Sequence, residues 1–305
     1  MLANLATSDA PRPTQAPAAT VAAVVVTFNR LALLKECVAA LRAQTRPIDE
    51  ILIIDNSSTD GTGDWLAAQS GLTVIRQPNL GSSGGQFAGI KAGYEKGHGW
   101  IWCMDDDTIP DPDALERMTA TPYFRRPDTG FLCSSLLWSD RQPHPMHAFH
   151  PTRAADWCGT VLDDRCLRVT MHTFVSVLVS RAAVAAVGLP VKEFFLIVDD
   201  YEYTDRISQR FPSYCVLDSR VVHKTREREP GQDLWKKDLL KECYRARNEV
   251  AWTLRRGNLG LWGKCQYIAT LWVYYCRLIL LGKAHPKILW WLFRGFFFRY
   301  RVERI

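Results

Sequence analysis

The sequence predicts an α/β fold whose centre is a mostly parallel, doubly wound sheet. Apolar runs typical of buried strands alternate four times with segments of helical periodicity over about 85 residues. Strands joined through helices in this way pair in parallel, and ligands bind beyond the carboxyl ends of such strands. The residues that follow the four runs are polar, small or acidic, so the sequence predicts a binding site along that edge of the sheet.

Local sequence features predict each element of this first half. A β-branched run predicts the first strand, and apolar residues at helical spacing, such as Leu34 and Val38, predict the helix after it. Pro47 separates that helix from the second strand, and polar residues after the second and third strands open the next two helices. In order, the predicted elements are strand 21–26, helix 31–44, strand 50–54, a helix opening at 59–62, strand 72–75, a helix ending near residue 94, and strand 100–104.

The second half of the chain is less regular. It contains predicted strands at 170–180 and 214–222, and between them lies a short helix at 181–187 that Gly188 closes. A long helix is predicted at about 233–256.

These elements divide the chain into three predicted regions. Residues 1–20 carry no signal-peptide pattern. They are rich in Ala, Pro and Thr, so we expect them to be disordered. Residues 21–225 form the α/β domain. Residues 226–305 begin with a charged link, 226–230, and continue as a helical C-terminal appendage.

Composition is that of a globular protein in a reducing compartment. With 47% apolar and 23% charged residues, the chain can bury a substantial core. Its nine cysteines are scattered without a CxxC pair, which argues against a disulfide framework or a zinc site and favours the cytosol. The formal charge of +6 comes from residues 257–305, which carry eight Lys or Arg and a single Glu.

Three consecutive aspartates, Asp105, Asp106 and Asp107, end the fourth strand. Clustered carboxylates repel one another and lose hydration when buried, and a divalent cation removes that cost. Carboxylates suit Mg²⁺ or Mn²⁺, whose remaining coordination sites are filled by water and substrate phosphates. The alternative is a solvated acidic turn, which the nearby Pro110 and Pro112 would fit. The other motifs of the chain favour the metal site.

A glycine-rich stretch, 79–85, precedes the third helix. It is neither a dinucleotide fingerprint nor a Walker loop, because it lacks both GxGxxG spacing and a Gly-Lys-Ser/Thr sequence. Its backbone still allows a phosphate or a ribose to approach closely. Asp55, at the end of the second strand, could accept a hydrogen bond from a pyrimidine N–H. The alternative is that residues 56–59 only cap a helix.

A second acidic cluster consists of Asp199, Asp200 and Glu202. One of these carboxylates could be a general base, which needs to reach the proton that it removes and to have a suitable pKa. The alternative is that they stabilise the first turn of a helix through its dipole, and both roles can hold for different members. His223, about twenty residues later at a strand end, could complete a metal site, although a lone His is more often structural.

Together these motifs resemble those of family 2 inverting glycosyltransferases, which have the GT-A fold. The resemblance covers about residues 21–225 and rests on four motifs, which are Val24-Val25-Val26-Thr27-Phe28-Asn29-Arg30, Ile53-Ile54-Asp55-Asn56-Ser57-Ser58-Thr59-Asp60-Gly61-Thr62, Asn79-Leu80-Gly81-Ser82-Ser83-Gly84-Gly85 and Met104-Asp105-Asp106-Asp107. A later stretch, Glu193–Arg206, with His223 and then Tyr244–Asn248, looks like the branch that contains bacterial galactofuranosyltransferases. Rhamnosyltransferases are close neighbours of that branch.

The resemblance implies a role for each matching residue. It implies six nucleotide-sugar ligands, which are Thr27, Asn29, Asp55, Asn79, Asp105 and Asp106. It implies three ligands for Mn²⁺ or Mg²⁺, which are Asp105, Asp107 and His223. Asp200 would be the catalytic base, and Asp199 and Glu202 are candidates on the acceptor side. The branch often has Trp before the paired acids, and Val198 stands there instead, which leaves the identity of the acceptor open.

The implied reaction is a single displacement that transfers a sugar with inversion. The donor would be UDP-galactofuranose and the acceptor a hydroxyl of a lipid-linked bacterial cell-surface glycan. A rhamnosyltransferase that uses dTDP-rhamnose is the alternative with the same fold. A nucleotidyltransferase is less favoured, because residues 27–30 are not the basic glycine-rich signature that it would need. A catalytically silent binding module is the third alternative, and no nucleic-acid partner is expected.

The sequence of the tail, residues 257–305, predicts that it attaches to a membrane surface without crossing the membrane. Its two apolar stretches, 268–281 and 288–298, are shorter than the roughly twenty apolar residues of a span, and each contains an Arg. Aromatic residues interleaved with Lys and Arg suit helices that lie in the headgroup region. We therefore expect a peripheral protein on the cytoplasmic face of the inner membrane. The alternative is a helical hairpin packed on the core or on a second copy in a homo-oligomer.

Overall fold

The fold is described from a computed structural model. It describes residues 19–144, 150–152, 160–225 and 234–305, with the backbone alone for residues 234–238. The predicted disordered segment, apart from residues 19 and 20, and the charged link at 226–230 lie outside the described residues.

Within the described ranges, a single mixed sheet of ten strands forms the centre of the protein. The strands are β1 (Val21–Thr27), β2 (Glu50–Asp55), β3 (Thr73–Arg76), β4 (Trp100–Asp105), β5 (Thr108–Pro110), β6 (Phe131–Leu137), β7 (His150–Pro151), β8 (Cys166–Met171), β9 (Val177–Ser180) and β10 (Tyr214–His223). Their order is β3-β2-β1-β4-β9-β6-β10-β8-β7, and β5 pairs with β10 outside this path. The first four strands of the order are parallel, whereas β9 is antiparallel to both of its neighbours.

Helices cover both faces of the sheet. They are α1 (Leu31–Arg42), α2 (Thr62–Ala67), α3 (Gly81–Glu95), α4 (Ala114–Ala120), α5 (Arg181–Val187), α6 (Asp199–Ser208), α7 (Leu234–Arg255), α8 (Leu261–Leu280) and α9 (Lys287–Phe297). Alternate residues of β1 face opposite ways, so Val25 packs in the core under α1 while Val24 packs in the core under α3. Strands buried on both faces explain why β1 and β4 are almost continuously apolar.

The four predicted strands of the first half and the alternation with helices are confirmed. The predicted strand at 170–180 is wrong as one element, because the chain turns between β8 and β9 and the two pair with different strands. Strand β6 and helix α4 are absent from the sequence prediction. The glycine-rich stretch is also not a loop before α3 but its first turns. Its glycines let the helix touch β1, since a Cβ on Gly85 would lie 2.4 Å from Val26 Cγ1.

The C-terminal helices share an apolar cluster of their own, and α7 joins them to the α/β domain. Helix α9 lies against α7 at Gly295, where a Cβ would lie 2.7 Å from the carbonyl oxygen of Arg247. Beyond α9 the chain returns to the α/β domain, and Glu303 accepts through its backbone oxygen from Leu189 N at 2.9 Å. The Glu303 carboxylate also pairs with Lys91 at 2.8 Å and with another lysine. Across the described residues, no helix is both long and apolar enough to span a bilayer.

Candidate active site

Polar residues from neighbouring strand ends meet at one edge of the sheet, as predicted. Thr27 ends β1, Asp55 ends β2, and the aspartates end β4, which pairs with β1. Thr27 Oγ1 donates to Asp106 Oδ2 at 2.8 Å, so the first strand fixes the middle carboxylate of the triplet. The backbone N–H of Asp106 donates to Val26 O at 3.2 Å, which continues the parallel pairing into the triplet.

Arg30 neutralises part of the triplet, and the sequence prediction assigned it no role. Its Nη1 lies 3.2 Å from Asp106 Oδ1 and 2.8 Å from Asp107 Oδ2, while half of the Arg30 side chain stays exposed. Burial nevertheless raises the pKa of Asp106 to about 6 against the lowering effect of Arg30. Burial, and then the charges of Asp107 and Asp106, raise the pKa of Asp105 to about 8. One arginine therefore does not neutralise three carboxylates.

Asp107 and His223 form the second pair of the site. Antiparallel pairing of β5 with β10 brings His223 opposite Thr108, and His223 Nε2 lies 3.2 Å from Asp107 Oδ1. Burial alone would raise the pKa of Asp107, but His223 and Arg30 outweigh it and the pKa is lowered. Asp107 is therefore the member of the triplet that keeps its charge most readily.

This donor set fits a hard divalent cation in its chemistry. Within the described part of the chain, no three His, Cys, Asp or Glu side chains form a group that could hold a metal ion. Asp107 and His223 nevertheless supply two adjacent ligands, and burial and the neighbouring carboxylates disfavour the charged form of Asp105, which a bound cation would favour. Mg²⁺ and Mn²⁺ accept one or two such protein ligands and complete their coordination with water and phosphate.

Asp55 is buried at the end of β2 and has both a structural bond and a free oxygen. Its Oδ1 accepts from Ser58 N at 2.8 Å, which stabilises the turn that follows the strand. Its Oδ2 has no hydrogen-bond partner among the described residues, although Arg76 Nε lies 3.6 Å away. Asp55 therefore stabilises the turn through one oxygen, and contact of the other oxygen with a ligand N–H stays a prediction.

The two predicted asparagine ligands have local partners. Asn79 Oδ1 accepts from Gly81 N at 3.0 Å, which closes the turn before α3. Asn29 has a left-handed backbone (φ 52°), and its Oδ1 accepts from Thr59 N at 2.7 Å. Both side chains therefore shape loops at the same sheet edge, and their contact with a nucleotide stays a prediction.

The second acidic cluster opens α6 and faces the triplet. Asp200 is half-buried, and its Oδ1 accepts from Tyr201 N at 2.8 Å. Burial raises the pKa of Asp200 to about 6, while nearby N–H groups and Arg245 oppose the shift. The charge of Asp200 in turn contributes to the raised pKa of Asp105, so the two clusters lie within electrostatic reach of each other.

Asp199 and Glu202 differ from Asp200 in what they can do. Asp199 is buried, and its Oδ2 has no hydrogen bond within the described structure. Burial, followed by the charge of Asp200, raises the pKa of Asp199 well above its usual range, so its charged form is disfavoured. Glu202 is also buried, and both of its oxygens accept from Arg206 at 2.8 Å. This ion pair favours a structural role for Glu202 over the predicted acceptor-side role.

A mostly parallel sheet with acidic strand ends, and a half-buried carboxylate on a helix within electrostatic reach of them, fit a GT-A glycosyltransferase. The chain matches glycosyl transferase family 2 over residues 22–187, more than half of its length, and it belongs to that family.

Relatives and solved structures agree with this assignment. A galactofuranosyltransferase, GlfT1, of Mycobacterium tuberculosis is 25% identical over 285 residues, which cover 88% of this chain and 91% of the relative. The fold is similar to S. aureus TarS (TM-score 0.54, 13% identity, 83% of this chain and 42% of that one). It is also similar to the mannosyltransferase PcManGT from Pyrobaculum calidifontis, solved with GDP-Man and Mn²⁺ (TM-score 0.51, 16% identity, 94% and 86%).

Proposed function

We propose that the protein is an inverting, metal-dependent galactofuranosyltransferase. It transfers galactofuranose from UDP-galactofuranose to a hydroxyl of a lipid-linked bacterial cell-surface glycan. The observation that carries this proposal is the half-buried Asp200, with a pKa of about 6, facing the strand-end triplet. The full-length similarity to a galactofuranosyltransferase supports the choice of donor.

Asp200 is the general base in this mechanism. With a pKa of about 6 it is ionised at neutral pH, yet basic enough to take a proton as the acceptor oxygen attacks. The acceptor O–H bond breaks, its proton passes to an Asp200 oxygen, and the new bond forms at the anomeric carbon. The bond from that carbon to the diphosphate breaks on the opposite face, so UDP leaves and the configuration inverts.

The strand-end residues bind the donor. Asp55 Oδ2 accepts from the N–H of the uracil ring, and the loops held by Asn29 and Asn79 surround the ribose. Asp107 and His223 would hold Mn²⁺ or Mg²⁺, which neutralises the charge of the departing diphosphate when it is bound.

Donor choice is tested by comparing two nucleotide sugars. We expect a higher kcat/KM with UDP-galactofuranose than with dTDP-rhamnose, using a lipid-linked glycan acceptor. A higher value with dTDP-rhamnose would assign the protein to the neighbouring branch and leave the mechanism unchanged. Release of pyrophosphate in place of UDP would instead support a nucleotidyltransferase. Absence of both transfer and donor hydrolysis in the presence of Mn²⁺ would support a silent binding module.

The C-terminal helices suit a membrane surface, where a lipid-linked acceptor would be found. Helices α8 and α9 expose large apolar residues, which are Leu261, Trp262, Val273, Tyr274, Leu280, Trp290, Phe293, Phe296 and Phe297. An open apolar groove of about 660 Å³ runs between the two helices. Exposed cations such as Arg277 and Arg294 lie among these residues, and each cation near an anionic surface contributes about 1 kcal/mol. We infer that the protein is peripheral on the cytoplasmic face of the inner membrane.

Vesicle binding tests this inference with a matched pair of variants. Trp262, which is 81% exposed on α8, is replaced by Ser together with Val273. The control is Leu162→Ser, because Leu162 is 75% exposed outside the tail. We expect full-length protein to sediment with anionic vesicles at low salt, and the α8 variant, unlike the control, to stay in solution. If full-length protein does not sediment but forms a dimer that the α8 variant lacks, the surface is an oligomer interface.

A further inference from the structure

We propose that Asn248 is a positioning residue that sets the place of the catalytic base. It holds the loop 194–198, defined here as the base loop, through which the chain enters α6 two residues before Asp200. This inference rests on the proposed role of Asp200. It gives a function to the Tyr244–Asn248 motif of α7, which the reaction mechanism leaves without one.

The base loop has a backbone that its residues do not favour. Three non-glycine residues in it lie in the left-handed region, Phe195 at φ 66°, Ile197 at 65° and Val198 at 78°. Bulky and β-branched side chains rarely adopt this region, and such conformations persist only where the surroundings enforce them. Something outside the loop must therefore hold it in place.

Asn248 provides that support from α7. Its side chain is fully buried, and its Nδ2 lies 3.1 Å from Phe194 O, 3.0 Å from Leu196 O and 2.8 Å from Ile197 O. One amide group thus gathers carbonyl oxygens from three of the five residues of the base loop. These carbonyls are inside the protein and would otherwise have to find other donors.

Arg247 reinforces the same contact. Its Nη2 donates to Phe194 O at 3.0 Å and to Glu193 O at 3.2 Å. Its Nη2 and Nε also donate to Asn248 Oδ1 at 2.8 and 2.9 Å, which fixes the amide with its NH₂ group toward the loop. The orientation of Asn248 is therefore enforced by its neighbour.

The donor side of the site holds the base loop from the opposite direction. Ser83 N, in the first turn of α3, donates to Phe195 O at 3.2 Å. A Cβ on Gly81 would lie 1.9 Å from the same oxygen, so α3 and the loop are in close backbone contact. The loop is clamped between the helix next to the nucleotide and α7, which ties the position of Asp200 to both.

Loss of the clamp should move the base without unfolding the domain. Most of α6 is anchored elsewhere, since Arg206 joins Glu202 and donates to Leu189 O at 3.0 Å. Release of the loop therefore affects mainly the first turn, where Asp200 lies. A displacement of about 1 Å in a reacting group costs roughly a hundredfold in rate.

The test compares Asn248→Ala and Asn248→Asp with Gln142→Ala, a control that removes an exposed amide far from α6 and α7 in the sequence. We expect kcat to fall about a hundredfold in both Asn248 variants, with KM for UDP-galactofuranose within about threefold and thermal unfolding still cooperative. The control should keep its kcat. Retention of more than a third of kcat in Asn248→Ala overturns the proposal, as does a parallel loss of donor affinity and kcat.

A further variant keeps the proposal testable if the two Asn248 variants fold poorly. Arg247→Gln keeps the Asn248 side chain but removes the bonds of Arg247 to Glu193 O, Phe194 O and Asn248 Oδ1, and we expect a kcat loss of about tenfold. Unchanged kcat in this variant would contradict the clamp. Wild-type protein is the reference throughout: if it transfers no sugar from UDP-galactofuranose, the proposed function fails, whereas an active wild type with active variants refutes only the clamp.

Discussion

Asp199 and Asp200 are adjacent carboxyls that should respond oppositely to the same substitution. Burial raises the pKa of Asp200 to about 6, whereas the pKa of Asp199 is raised well above its usual range. At pH 7 Asp200 is therefore mostly ionised, whereas the ionised form of Asp199 is disfavoured. Asparagine has the shape of a protonated carboxyl, so it should replace Asp199 with little effect and should remove the function of Asp200.

The expected magnitudes follow from the pKa values. General-base assistance is worth roughly 10²–10⁴-fold, so Asp200→Asn should lose at least a hundredfold in kcat with donor affinity nearly unchanged. Asp199→Asn should keep kcat within about threefold. A base with a pKa of about 6 is roughly 90% ionised at pH 7 and 10% at pH 5, so wild-type kcat should fall about ninefold between them.

The assay is UDP release at saturating donor and acceptor from pH 5 to pH 8, with donor affinity measured separately by thermal shift. The acid limb should be present in wild type and in Asp199→Asn, and absent from the residual rate of Asp200→Asn. If Asp200→Asn keeps more than about a tenth of wild-type kcat while Asp199→Asn is inactive, the assignment of the base is wrong.

Three further predictions concern metal and stability. Chelator should abolish transfer and Mn²⁺ should restore it. The Asp107→Ala and His223→Ala variants should need at least about tenfold more Mn²⁺ for the same rate. Full activity in excess EDTA would contradict the metal site. The folded-state pKa of Asp105 is raised to about 8, so its ionisation destabilises the metal-free protein as pH rises from about 4 to 8. Asp105→Asn should therefore raise the Tm of metal-free protein by at least about 2 °C at pH 8 and by less at pH 5, measured by calorimetry. Glu202→Gln breaks the buried pair with Arg206 and should cost about 3 kcal/mol in urea unfolding, whereas an unchanged free energy of unfolding would show that the pair contributes little.

The sequence predicts the strand ends because buried parallel strands have a simple signature. Runs such as 21–26 and 50–54 are apolar on both faces, and the residue that ends such a run must lie at the sheet edge. Thr27, Asp55 and the triplet could therefore be placed next to one another before any contact was known. Strand β6 was not predicted, because its two serines interrupt the apolar run.

Contacts made by single side chains between distant segments were beyond prediction. Arg30 follows a strand without any pattern that marks it as the partner of Asp106 and Asp107. At the base loop the sequence predicts the wrong backbone. Ile and Val favour extended backbone, but Ile197 and Val198 adopt the left-handed region. Tertiary contacts from a helix some fifty residues away override that local preference.

The return of the chain to the α/β domain at Glu303 has a consequence for the order of unfolding. The pair Lys91–Glu303 joins residues 212 positions apart, and closing so long a loop requires most of the domain to be in place. Tyr300, on the same segment, packs edge-on against Phe194 at the start of the base loop, with ring centroids 4.9 Å apart. Local opening of this segment would remove the aromatic contact at the start of the base loop, while Asn248 still holds the loop and the central strands stay paired. Mild denaturant should therefore produce a state that keeps its sheet and binds nucleotide but transfers sugar more slowly.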